Sequence, residues 1–255
     1  MATTSASTNR MQPRRALRLL AAVIRNPDAT DQVFEFFRAV GGDDGPAHFR
    51  EFLGDPGGRA LLAQRPELLA ALADEPFLAA LPGGSLGRAY LAAMRARGFS
   101  PAQLLAYREQ STRDLAPEPA DEEWFYQRLN VMHDLWHVLT GYGTDPLGEA
   151  ALLAFSHAQI PNRAFPLLLL GAVAKGPKSW DLAWPRYLWR AYRRGRHARL
   201  LTAAPFEALL ALPLSRVREQ LGVGRARDWH PDGIWRGALD AAPARAAAAD
   251  EASLA

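Results

Sequence analysis

Apolar residues recur along most of this chain at intervals of three and four, the period of an amphipathic helix. Val33, Phe34, Phe36, Phe37 and Val40 form one such face, and Leu/Ala patterns form others. Proline and glycine punctuate the pattern. The spacing predicts helices over 14–25, 28–40, 48–53, 59–64, 66–73, 85–97, 121–139, 149–159, 185–198, 205–212 and 214–221. Leu115 to Ala120, with Pro117 and Pro119, reads as an internal linker. No stretch alternates apolar and polar residues as a half-buried strand would, and no internal repeat is visible. The expected fold class is therefore all-α, a single multi-helix domain over 13–237. A Ser/Thr-rich N-terminus (1–12) and an Ala-rich tail (238–255) are expected to be disordered or flexible.

Two stretches depart from the amphipathic pattern in opposite directions. Phe165 to Ala174 has no polar face at all. It is either core or the wall of a lipid-binding groove, with Phe165, Leu168 and Leu169 as pocket-lining residues. Residues 186–197 carry Arg186, Arg190, Arg193, Arg194 and His197 at helical spacing, with Trp189 and Tyr192 between them. A basic helix with aromatics can lie on an anionic membrane surface, or it can be a solvated arginine face. Arg14, Arg15, Arg18 and Arg25 around Leu17, Leu19, Leu20, Val23 and Ile24 read as the first amphipathic helix rather than a targeting segment, because Arg18 interrupts the apolar run.

Composition narrows the chemistry. The chain has 255 residues, enough for one large domain, and no cysteine. Disulfides and thiolate-ligated metals are thereby excluded, so a metal site must use nitrogen and oxygen ligands. Ala and Leu dominate over β-branched residues, which favours helices. The net charge of +3 gives no reason to expect a nucleic-acid partner. The longest apolar run is far shorter than the roughly 20 residues of a membrane span.

The candidate chemistry is concentrated in His133-Asp134-Leu135-Trp136-His137 and the segment that follows it. On a helix, with about 100° per residue, His133, His137 and Asp134 fall at about 0°, 40° and 100°, within one arc. Gly141 and Gly143 then stop the helix, and Thr144 or Asp145 can cap another with Pro146 in its first turn. Glu149 falls about one turn into that second helix, at the height of His137 across a tight hairpin. Neutral imidazoles with carboxylates suit zinc, and equally iron or manganese. His133, Asp134, His137 and Glu149 are the candidate ligands, with Asp134 either binding directly or orienting His137. No catalytic or cofactor-binding residue beyond this site is indicated. His157, near the face of Glu149, is a candidate outer group or proton donor. Gly83-Gly84-Ser85 opens the helix at Leu86 and reads as a turn with a serine cap, or as a phosphate cradle.

Three blocks together resemble the ubiquinone (coenzyme Q) biosynthesis family typified by the mitochondrial Coq-four protein. They are Gly84-Ser85-Leu86-Gly87-Arg88-Ala89-Tyr90; His133-Asp134-x-x-His137 with Glu149 after eleven intervening residues; and Phe206 to Gly222 with Pro213, Arg218 and Leu221. The loop Gly141 to Asp145 and the indole at Trp136 resemble bacterial members of the family. The resemblance implies a helical, lipid-binding protein with zinc on His133, Asp134, His137 and Glu149. It implies removal of the ring carboxylate, coupled to hydroxylation at that carbon, in polyprenylated hydroxybenzoate intermediates. A non-catalytic scaffold with a structural metal is the second reading. Implied partners are a polyprenylated aromatic acid or quinone-like lipid, other ubiquinone-biosynthesis proteins, a membrane surface met through 186–197, and a second copy in a homodimer. The implied location is the bacterial cytoplasm, peripheral on the inner membrane.

Overall fold

The computed structural model describes residues 11–25, 32, 35–36, 39–40, 44–98, 120–175 and 183–224. Expectations for the first ten residues, most of the 28–40 helix, most of the 115–120 linker, and the 238–255 tail lie outside them. Among the described residues every regular element is helical: α1 (Pro13–Arg25), α2 (Asp44–Gly54), α3 (Pro56–Gln64), α4 (Leu68–Ala73), α5 (Glu75–Ala80), α6 (Leu86–Ala96), α7 (Ala120–Thr140), α8 (Pro146–Gln159), α9 (Ala164–Lys175), α10 (Ala183–His197), a short 3-10 turn (Leu201–Ala203), α11 (Phe206–Leu209) and α12 (Leu214–Gln220). The described residues are all-α, as the pattern predicts. None of these helices is long and apolar enough to cross a membrane.

The helices form two compact groups. The first comprises the described residues up to 65, within 142–204, and 221–223. Its centre is the pair α8 and α10. These two approach closely because Gly195 has no side chain: a Cβ there would lie 2.4 Å from the Phe155 carbonyl oxygen. Buried Gln159 locks the joint, donating to the Gly195 carbonyl at 2.6 Å and accepting from the Leu201 amide at 2.8 Å. Buried Arg194 donates from Nε to the Val223 carbonyl, and its guanidinium lies 5.3 Å from the centre of the Tyr142 ring. Helix α9 packs on both α8 and α1. Leu167 and Leu168 join Ala16, Val23, Phe36, Ala39, Val40 and Ala164 in a small apolar cluster.

The second group comprises the described residues within 66–141 and 205–220, with Gly224. Helix α7 contacts α4, α6 and α12 here, so the metal-motif helix is held on several sides. Arg128 on α7 is buried and forms an ion pair with Glu207 on α11, while also lying over the Trp124 ring. At the start of α6, the Ser85 hydroxyl accepts from the Arg88 amide at 3.3 Å. The Leu86 and Gly87 amides donate to the carbonyls of Leu212 and Leu210, both at 2.9 Å. The orphan donors of this helix start are therefore bonded to protein, and the turn-and-cap reading replaces the phosphate cradle.

Boundaries shift where a capping residue outranks a glycine cluster. Residues 54–58 fall between the helices predicted over 48–53 and 59–64, yet Asp55 accepts from the Gly57 amide at 2.7 Å and Pro56 opens α3. Asp74 likewise caps α5, an element the apolar pattern does not show, by accepting from the Phe77 amide at 2.9 Å.

Candidate metal centre

The last turn of α7 carries both histidines. Their rings are 4.8 Å apart between centroids and inclined at 79°, the product of the i, i+4 spacing. His137 is buried at 2% exposure, whereas the His133 side chain is 53% exposed. The helix ends at Gly141, whose φ of 76° is open to glycine at little steric cost, and whose amide donates to the His137 carbonyl at 2.8 Å. Arg218 of α12 covers the same end, donating from Nε to the Leu139 carbonyl at 2.8 Å and from Nη2 to the Val138 carbonyl at 3.0 Å. Two carbonyls that a helix end leaves without intrahelical partners thus receive a charged donor.

The following turn fixes Glu149. Asp145, rather than Thr144, is the cap of α8: its Oδ1 accepts from the Leu147 and Gly148 amides at 3.0 and 3.1 Å, with Pro146 at the first helical position. Gly148 is required by proximity, since a Cβ would lie 2.1 Å from the Gly143 carbonyl oxygen. One ligand atom from each of His133, His137 and Glu149 lies within 4.8 Å of the others.

Two imidazoles and a carboxylate are a donor set that fits a divalent ion. Ligand distances of about 2.0–2.2 Å place such atoms about 3–4 Å from one another. This set suits zinc, iron or manganese, and it leaves further positions for another ligand.

Asp134 is not in that group. Its Oδ1 lies 3.4 Å from Arg97 Nη1 and 3.8 Å from His133 Nδ1. Burial raises the Asp134 pKa, but the His133 hydrogen bond and the charges of His133, Arg97 and His137 outweigh burial and hold the carboxyl below its usual range. Tyr90, buried on α6, has its phenol pushed well above the usual value, first by burial and then by the Asp134 charge.

Phe165 is buried and meets the His157 ring edge-on at 5.8 Å. Leu168 packs on the α1 cluster, and Leu169 is half-buried. Among the described side chains of α9, Pro166, Leu170 and Val173 are exposed. His157 Nδ1 accepts from the Asn162 amide at 3.4 Å, and burial lowers its pKa. Arg97 and Arg218 support the site without any local mark in the sequence. An arginine reaching from a distant segment to a helix end leaves no local signal, and Arg218 stands out only by its place in the third block.

The sequence profile of the coenzyme Q (ubiquinone) biosynthesis protein Coq4 family matches residues 20–227. The chain is 32% identical to the mitochondrial ubiquinone biosynthesis protein coq4 of Aspergillus terreus, covering 69% of this chain and 59% of the relative. It is 32% identical to the mitochondrial ubiquinone biosynthesis protein COQ4 homolog of Rattus norvegicus, covering 78% of this chain and 72% of the relative. The chain thus spans about 59% of the length of the fungal relatives it matches. A solved structure from Nostoc punctiforme, provisionally assigned to ubiquinone biosynthesis, superposes with a TM-score of 0.59 at 26% identity, covering 85% of this chain and all of the other. With a helical scaffold, a two-histidine, one-glutamate centre and matches over most of its length, the chain belongs to the Coq4 family of ubiquinone biosynthesis proteins.

Proposed function

We propose that this chain is a metal-dependent enzyme that removes the ring carboxylate of a polyprenylated hydroxybenzoate, coupled to hydroxylation at the same carbon. The observation that carries the reading is the donor group of His133, His137 and Glu149. Three protein ligands with a position left over are the arrangement of a catalytic rather than a closed structural site. His137 and Glu149 would hold the ion from buried and half-buried positions, and a substrate would reach it past exposed His133. Asp134, held by Arg97, stays ionised and orients His133. A bound metal supplies Lewis acidity toward the carboxylate or phenolate oxygens of the ring.

In the net conversion the ring carboxylic acid, dioxygen, two electrons and two protons give the ring hydroxyl, carbon dioxide and water. The electrons come from an external reductant. Zinc supports only the polar half of this conversion, whereas iron also supports the chemistry of dioxygen. The polyprenyl tail needs an apolar surface, and Leu170 and Val173 on the outer side of α9 are the exposed apolar side chains of the segment we assign to it.

The test is single- and multiple-turnover release of carbon dioxide from a carboxyl-labelled, short-chain prenylated hydroxybenzoate, in aerated buffer with ascorbate as the electron donor, by pure protein loaded in turn with zinc, iron and manganese. Release that requires metal and is lost in Glu149→Ala supports the reading. Protein that is fully metal-loaded and folded, yet releases none with any of the three, contradicts it and leaves the scaffold role.

A further inference from the structure

Helix α10 has a basic face and a buried one, and Arg194, grouped with the basic stripe by its spacing, instead lies on the buried face. With about 100° per residue, Arg186, Trp189, Arg190, Arg193, Arg196 and His197 fall within one arc of about 120°. All six are exposed, and Trp189 is 59% exposed. The opposite face, with Trp184, Tyr187, Leu188, Ala191 and Arg194, is buried. The helix contains no acidic residue. Among the described residues no carboxylate pairs with Arg186, Arg190, Arg193 or Arg196. Trp189 is the largest of the exposed apolar side chains, and its ring stacks on Tyr192 at 5.4 Å and 22°. The stack holds the indole in place on the basic stripe, so little side-chain freedom is lost when the face meets a partner.

We infer that this face docks the protein on an anionic bilayer, with Trp189 at headgroup depth and the four arginines on lipid phosphates. Guanidinium forks match phosphate oxygens in pairs, and an indole with one polar edge favours the boundary between headgroup and acyl chain. The buried face of α10 is committed to the protein core, so docking is through the basic face and does not insert the helix. Nucleic acid offers the same phosphates. The bilayer is the partner favoured here because the polyprenylated substrate class proposed above resides there, and on that point the inference rests on the proposed function.

The test is co-sedimentation of the full chain, without metal or substrate, with vesicles of phosphatidylcholine and with vesicles that also contain phosphatidylglycerol. Because no chemistry is involved, its outcome is independent of whether carbon dioxide is released. Wild-type protein is expected to bind the anionic vesicles and to be released near 1 M salt, where screening acts over about 3 Å. Removing two charges in R190Q/R193Q is expected to weaken binding about thirtyfold. W189A is expected to weaken it about fivefold, and neither variant is expected to alter the circular dichroism. Equal binding to both vesicle types, or variants that bind as wild type does, overturns the inference. So does an oligonucleotide that strips the protein from vesicles at equal phosphate concentration.

Discussion

Arg218 closes the C-terminal end of the metal-motif helix by donating to the Leu139 carbonyl at 2.8 Å, two residues beyond His137. A second bond from the same guanidinium reaches Val138 at 3.0 Å. The cation also lies where the helix dipole is negative. Charged hydrogen bonds of this kind contribute about 1.5–3 kcal/mol each when their removal leaves carbonyls unmet. Arg218→Ala is therefore expected to lower unfolding stability by about 2–4 kcal/mol in denaturant titrations. It is also expected to weaken metal binding, because the end that holds His137 loosens. Arg218→Lys can remake one of the two bonds and is expected to fall between.

The Arg128–Glu207 pair makes a different prediction. Arg128 is buried and Glu207 is largely covered, so removing the carboxylate leaves a charge without its counter-ion. Glu207→Ala is expected to destabilise by about 3–5 kcal/mol. The double change Arg128→Met with Glu207→Leu is expected to recover most of that loss, since it buries no charge. A double-mutant cycle in urea checks both.

His157 sets an expectation for pH. Burial lowers its pKa from the ordinary value near 6.5, so the unfolded chain takes up a proton at a pH where the native state does not. Stability from this residue is complete above about pH 6.5 and falls as pH drops through the window between the unfolded and the lower folded value. His157→Gln is expected to have a shallower loss of melting temperature between about pH 7 and 5. Parallel curves for wild type and variant would contradict it.

How much of this was legible in the sequence follows from the range of each interaction. The helix periodicity, the i, i+4 histidine pair and the Gly141 stop are local, and each stands in the structure as the spacing predicts. Asp145 as the cap was one of two readable alternatives, and only the side-chain bonds to Leu147 and Gly148 decide it. The partners of Asp134 and of the Leu139 carbonyl come from α6's end and from α12, segments that no periodicity connects to α7. The need for glycine at position 148 is equally silent, because it arises from the fold of a neighbouring backbone turn. Phe165 to Ala174 shows the limit of composition. A run without polar residues still has a packed side at Phe165 and an exposed one at Leu170, which is 66% exposed.

His133, His137 and Glu149 are expected to hold one metal ion between them. Isothermal titration of metal-free protein with zinc, paired with metal analysis after gel filtration, tests it directly. One ion per chain is expected for wild type, with loss of at least about a hundredfold in affinity for His137→Gln and Glu149→Gln at unchanged helical content. Retention of one tightly bound ion by both variants would contradict the account.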